Sequence, residues 1–139
     1  MPHRLELLIS PAWRAAPRPL RNILERIEIE HLRHGTMANG ELYVSYLQLV
    51  EFGVSKRSIK PALELGRKLG LLEVIQEADN HLSDIRAANA YRLTYVPAKG
   101  KAAPSDEWKN ITEDRAKALL DAYKFEDKAA ASATKRRAA

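Results

Sequence analysis

The chain contains no cysteine. Disulfides, thiolate nucleophiles and cysteine-ligated zinc are thereby excluded, while the compartment stays open on this ground. No apolar run approaches the roughly 20 residues that a membrane-spanning helix needs. The stretch Leu5-Glu6-Leu7-Leu8-Ile9 is short and broken by a charge, which does not suit the core of a signal peptide. The sequence predicts a soluble, cytoplasmic protein with no membrane partner. Patterns of catalysis are missing too: no Ser/His/Asp order, no phosphate-binding glycine loop and no paired carboxylates stand out. Asp106-Glu107 suits a helix N-terminus better than an acid–base pair. His31 and His34 have a spacing that two metal ligands can share, but no third-ligand pattern accompanies them. His31 fits the edge of a core instead. The expectation is a non-enzyme without cofactor, metal or evident small-molecule ligand.

What is present is a core and an uneven charge. The 139 residues suffice for one ordinary domain, and 45% of them are hydrophobic. The net charge is +5 and the isoelectric point about 9.6, so a polyanionic partner is plausible, although such a charge can also serve solubility alone. Residues 55–69 carry five cations against Glu64 alone, a net +4. From Ala98 onward ten cations face seven carboxylates, a net +3, and the remainder sums to −2. Positive charge is therefore concentrated on one short segment, with a second excess at the C-terminus.

Along the chain, Pro2, Pro11 and Pro17 predict an irregular N-terminal arm over residues 1–17. Within it Leu5, Leu7 and Ile9 alternate as a short strand could, and Trp13 packs onto the domain. A helix follows from Arg18 to Arg33, with Pro19 in its first turn. Leu20, Ile23, Leu24, Ile27 and His31 form its single buried stripe, and Gly35 ends it. Asn39-Gly40 marks a turn and Leu42-Tyr43-Val44 a short strand. Ser45 and Gln48 form a capping box for the next helix, in which Leu47, Val50 and Phe52 face inward. Gly53 suits the tight turn after it. Ser55 caps a further helix that ends before Gly70. Leu71–Ile75 and Tyr91–Val96 read as strands joined by a long polar loop, Gln76 to Asn89. Residues 98–104 read as a linker. Residues 105–128 read as a helical extension, with Ser105 capping a turn, Thr112 capping a helix, and Ala116, Leu119, Leu120 and Tyr123 as its apolar stripe. Residues 129–139 read as a basic, frayed tail.

At 100° per residue the basic helix divides into two faces. Ile59, Ala62, Leu63, Gly66 and Leu69 define the buried side, and Gly66 there predicts the close approach of a neighbouring helix. The opposite stripe is Arg57, Pro61, Glu64 and Lys68, flanked by Lys60, Arg67 and Lys56. Helix, tight turn, basic helix and hairpin form, in that order, a winged helix-turn-helix, so residues 18–97 are expected to bind DNA. Arg57, Lys60, Glu64 and Lys68 would enter the major groove. Ser55, Lys56 and Ser58 would hold phosphates, with Arg67 flanking. Glu64 can accept from cytosine N4, or pair with Lys60 or Lys68 across one turn, the reading favoured here. Pro61 requires either a kink or a regular helix that begins only near Lys60. The bland alternative is a solvated helix face.

The run Asn39-Gly40-Glu41-Leu42-Tyr43-Val44-Ser45, with Phe52-Gly53-Val54, Ser58-Ile59-Lys60-Pro61-Ala62-Leu63 and Leu69-Gly70-Leu71-Leu72-Glu73-Val74, resembles a group of small alphaproteobacterial winged helix-turn-helix proteins. Asn89-Ala90-Tyr91-Arg92-Leu93-Thr94-Tyr95, Pro104-Ser105-Asp106-Glu107-Trp108 and Pro11-Ala12-Trp13-Arg14-Ala15 match the same pattern. The resemblance spans roughly residues 11–111 and implies DNA binding, often in the setting of plasmids, phages or integrative elements. Pro61 belongs to the shared pattern. The wing tip departs from it. Where the group is rich in glycine and arginine, this chain has Glu77, Asp79 and Asp84, leaving Arg86, Asn89 and Arg92 as wing candidates.

Taken together, the sequence predicts a mainly α protein with a small β-hairpin wing and a C-terminal helix, nucleoid-associated and bound to double-stranded DNA. Its function is expected to be transcriptional regulation, with mobile-element replication or excision, or a protein-interaction module, as alternatives. The C-terminal helix either folds back on the domain or pairs with its twin in a homodimer.

Overall fold

The computed structural model of the protein describes residues 4–76 and 87–138. Six helices and a three-stranded antiparallel sheet occur among them, in the order α1 (Leu5–Leu8), α2 (Pro11–Ala15), α3 (Arg18–Arg33), β1 (Leu42–Ser45), α4 (Tyr46–Glu51), α5 (Lys56–Lys68), β2 (Leu72–Gln76), β3 (Ala88–Leu93) and α6 (Glu113–Ala138). A 3-10 turn, Glu107–Asn110, precedes α6. The strand order is β1-β3-β2. The last strand in sequence is thus the middle one in space, with Tyr91 opposite both Leu42 and Val74. This is the mainly α, helix-turn-helix arrangement with a hairpin that the sequence predicts.

The N-terminal arm departs from expectation. It forms two short helices rather than an irregular segment or a strand. The Ser10 hydroxyl accepts from the Trp13 amide, and Pro11 occupies the first turn, where its missing N–H costs nothing. Of the alternating residues only Leu7 is buried; Leu5 and Ile9 are exposed. Trp13 does pack inward, edge-on to Tyr95 with ring centroids 5.9 Å apart.

In α3 the expected stripe is the core: Leu20, Ile23, Leu24 and Ile27 are fully buried and His31 nearly so. The Ser45–Gln48 capping box opens α4 as predicted, at 3.1 and 2.9 Å. The inward residue of α4 is Leu49, however. Leu47 and Val50 are half-buried and Phe52 exposed, because a six-residue helix turns only one narrow arc toward the core. Gly53, at φ +104°, closes α4: its N–H reaches Val50 O and that of Val54 reaches Leu49 O, both at 3.0 Å.

Asn39 ties the sheet to the following segment. Buried to 1% exposure, its side-chain amide accepts from Leu93 N at 2.8 Å and donates to the carbonyls of Leu93, Val96 and Pro97. Lys99 N reaches Asn39 O at 2.8 Å, so the predicted linker begins anchored. β3 runs Ala88–Leu93, three residues earlier at each end than the predicted Tyr91–Val96. Ser105 caps nothing; the 3-10 turn starts from Asp106 at φ +52°, and the Ser105 hydroxyl accepts from Arg92. Thr112 does cap α6, accepting from Arg115 N at 3.2 Å. Ala116, Leu119 and Tyr123 are buried and α6 packs against α2 and α5, so it folds back on its own domain. Its backbone stays helical to Ala138, past the expected fraying point, as an alanine-rich stretch favours.

Candidate nucleic-acid interface

Helix α5 is continuous from Lys56, so regular structure does not wait for Lys60. Pro61 sits inside it, and the N–H that would have met the Arg57 carbonyl is missing. Ser55 occupies the N-cap position without using its hydroxyl as a cap. Ile59, Ala62, Leu63, Gly66 and Leu69 are buried as the helical geometry requires. The predicted close approach at Gly66 is present: an added Cβ would lie 2.7 Å from Leu20 Cδ1 of α3.

The buried arc is wider than one stripe. It extends to Leu65 and Ser58, because α5 has α3 on one flank and α6 on another. This removes most of Ser58, at 6% exposure, from any outer surface. The exposed arc runs through Lys56, Arg67, Lys60, Glu64, Arg57 and Lys68, with half-buried Pro61 at its edge. Five cations thus share one face, and its single carboxylate is engaged by one of them. Glu64 pairs with Arg67, three residues on, rather than with Lys60 or Lys68. Among the described residues, none of Lys56, Lys60 and Lys68 has an ion-pair partner. Arg57 faces Asp127 of α6 at 3.8 Å. The nearby Tyr123 hydroxyl is held above its usual pKa by burial and by Asp127, against the opposing pull of Arg57.

Between α5 and the sheet lies a groove of about 290 Å³ lined by Tyr46, Lys60, Leu63, Arg67, Val74 and Asn89. Lys60 and Arg67 bring positive charge to it, Glu64 lines it as well and pairs with Arg67, and Leu63 and Val74 are its apolar lining. Such a face can neutralise a polyanion and offer guanidinium donors to planar acceptors.

The wing candidates fare differently. Arg86 lies outside the described residues. Asn89 is buried to 2% exposure, and its amide donates to the Tyr91 hydroxyl at 3.0 Å. It supports the sheet rather than standing out from it. Arg92 is a strut: it donates to Glu73 (2.5 Å), to Glu107 (2.7 Å) and to Ser105. Burial works against its charge, but the two carboxylates outweigh this and raise its pKa. The partners of Arg92 lie 15 and 19 positions away in sequence, where strand alternation does not reveal them.

His31 is buried and its pKa lowered by burial, partly offset by Glu28. His34 lies 3.4 Å from Glu30. Among the described residues no His, Asp and Glu side chains cluster so as to hold a metal ion, and no helix is long and apolar enough to cross a membrane. Comparison with protein-family models, with curated proteins and with solved structures finds no match.

Proposed function

We propose that this chain binds double-stranded DNA through α5, in the manner of a winged helix-turn-helix, and acts as a transcriptional regulator. The observation that carries the reading is the outer face of α5. Five cations share one exposed arc of a helix that follows a tight turn and precedes a hairpin. A helix so placed fits the major groove, with its N-terminal residues at the base edges. In this reading Arg57 reaches the base edges, while Lys56, Lys60, Arg67 and Lys68 meet phosphates along the groove. Glu64 serves to orient Arg67.

The test is binding to duplex DNA of random sequence across a salt series. Lys56, Lys60, Arg67 and Lys68 on phosphates would give a log–log slope near −3.6, at about 0.9 per contact. No binding by the wild-type chain at low salt would refute the proposal. Once binding is established, Arg57→Ala should relax base preference, whereas Lys56→Ala should weaken all sequences alike.

A further inference from the structure

We propose that the pocket between the first turns of α3 and α5 is a binding site for a phosphate group. The pocket holds about 410 Å³, within the range of small-molecule sites. Arg18 and Asn22 line it from α3, Ser55 and Ser58 from the start of α5, and Phe52 from the turn before α5. Two helix N-termini thus open on one space, and first-turn amides have no partner within their own helix. Neither N-terminus is closed by a side chain: Pro17 and Ser55 hold the cap positions without a capping hydrogen bond. Pro19 removes one donor from α3, which leaves the amides of Arg18 and Leu20. In α5 the Ser58 amide meets Ser55 O at 2.9 Å, which leaves those of Lys56 and Arg57.

Ser58 points to a ligand independently of the helix ends. It is only 6% exposed, it lines the pocket, and its hydroxyl has no hydrogen-bond partner among the described residues. A polar group so deeply placed calls for a partner. The charge of the pocket selects one. No carboxylate lines it, and Arg18 is exposed and without an ion-pair partner among the described residues. Each helix N-terminus adds about half a positive charge. Two such ends and a guanidinium approach the roughly −1.5 to −2 of a phosphate monoester at neutral pH, and exceed the single charge of a carboxylate. Phosphate at a helix N-terminus is also what the aligned peptide dipoles favour. The exposed Phe52 ring leaves an apolar wall for the rest of a phosphorylated molecule.

The experiment titrates the full-length chain with inorganic phosphate at constant ionic strength and follows the backbone amide resonances. Saturable shifts are expected at Arg18, Leu20, Lys56 and Arg57 by about 10 mM phosphate, with phenyl phosphate binding more tightly and acetate giving no saturable shift. Ser58→Ala, which adds no volume, and Arg18→Gln should each weaken phosphate roughly 10-fold, whereas Lys68→Ala should leave it unchanged. No saturation, an equal response to acetate, an unaltered affinity in Ser58→Ala, or an equal loss in Lys68→Ala overturns the proposal. Duplex binding without added phosphate separates two sources of the group. Wild-type duplex affinity in Ser58→Ala assigns the site to a free phosphorylated molecule; a parallel loss assigns it to the nucleic-acid backbone. The phosphate titration contains no DNA, so its outcome is distinct from failure of the DNA-binding reading, in which the wild-type chain binds no duplex.

Discussion

The outer face of α5 and the seam between β3 and the 3-10 turn are both rich in charge, yet they treat it in opposite ways. At the seam, Arg92 is 16% exposed at its side chain and held by Glu73 and Glu107. Close by, Gly70 lets two backbone segments touch, and the Thr94 hydroxyl donates to Gly70 O and Leu71 O. On α5, Lys56, Lys60 and Lys68 stand in solvent with no ion-pair partner among the described residues. The sign of a charge is the same in both places. What differs is the number of carboxylates within reach, which makes the seam an internal joint and leaves the helix face available for an external anion.

That contrast can be broken from either side. The largest effect is expected at the joint, for Gly70→Ala. A residue at φ +74° whose Cβ would meet backbone at 2.8 Å should lose about 2–4 kcal/mol in denaturant unfolding. Arg92→Ala comes next: it leaves Glu73 and Glu107 without their partner and should cost about 1–3 kcal/mol. The salt slope of DNA binding should stay unchanged in this variant, and a shallower slope would move Arg92 into the interface. Lys60→Ala and Lys68→Ala should behave inversely, with stability within about 0.5 kcal/mol of wild type and each slope shallower by about 0.9. The smallest effect concerns His31, which belongs to neither region. Its folded pKa is lowered by burial, so its neutral form contributes stability fully above the ordinary value of about 6.5. That contribution is lost as pH falls from there through the folded value. Melting temperature should therefore fall less between about pH 7.5 and 5 in His31→Leu than in wild type.

How much of this was legible depended on the range of the interactions. The bounds and stripe of α3, the Ser45–Gln48 box, the turn at Gly53 and the close approach at Gly66 are all written within a few residues. Local spacing sufficed for each. The N-terminal helices were written locally as well, in Ser10-Pro11, but the alternation of Leu5, Leu7 and Ile9 masked them. Arg92 and Asn39 were not legible as structural residues, since their partners lie on distant segments that meet only in the fold. Ser58 was misread for a related reason. A helix with neighbours on two flanks buries more than a single-stripe count allows.

The close contacts at Gly66 and Gly70 set an angle as well as a seam. A helix packed closely at Gly66 and at Gly70 resists rolling about its own axis. A roll of about 20° would sweep side-chain heads some 5–6 Å from that axis through about 2 Å, more than a base-edge hydrogen bond tolerates. With Gly66 seated on Leu20 of α3 and Gly70 on the backbone at Glu107–Trp108, the azimuth of α5 is set by packing before any ligand arrives. The ordering cost of finding that orientation is then met in folding rather than in binding.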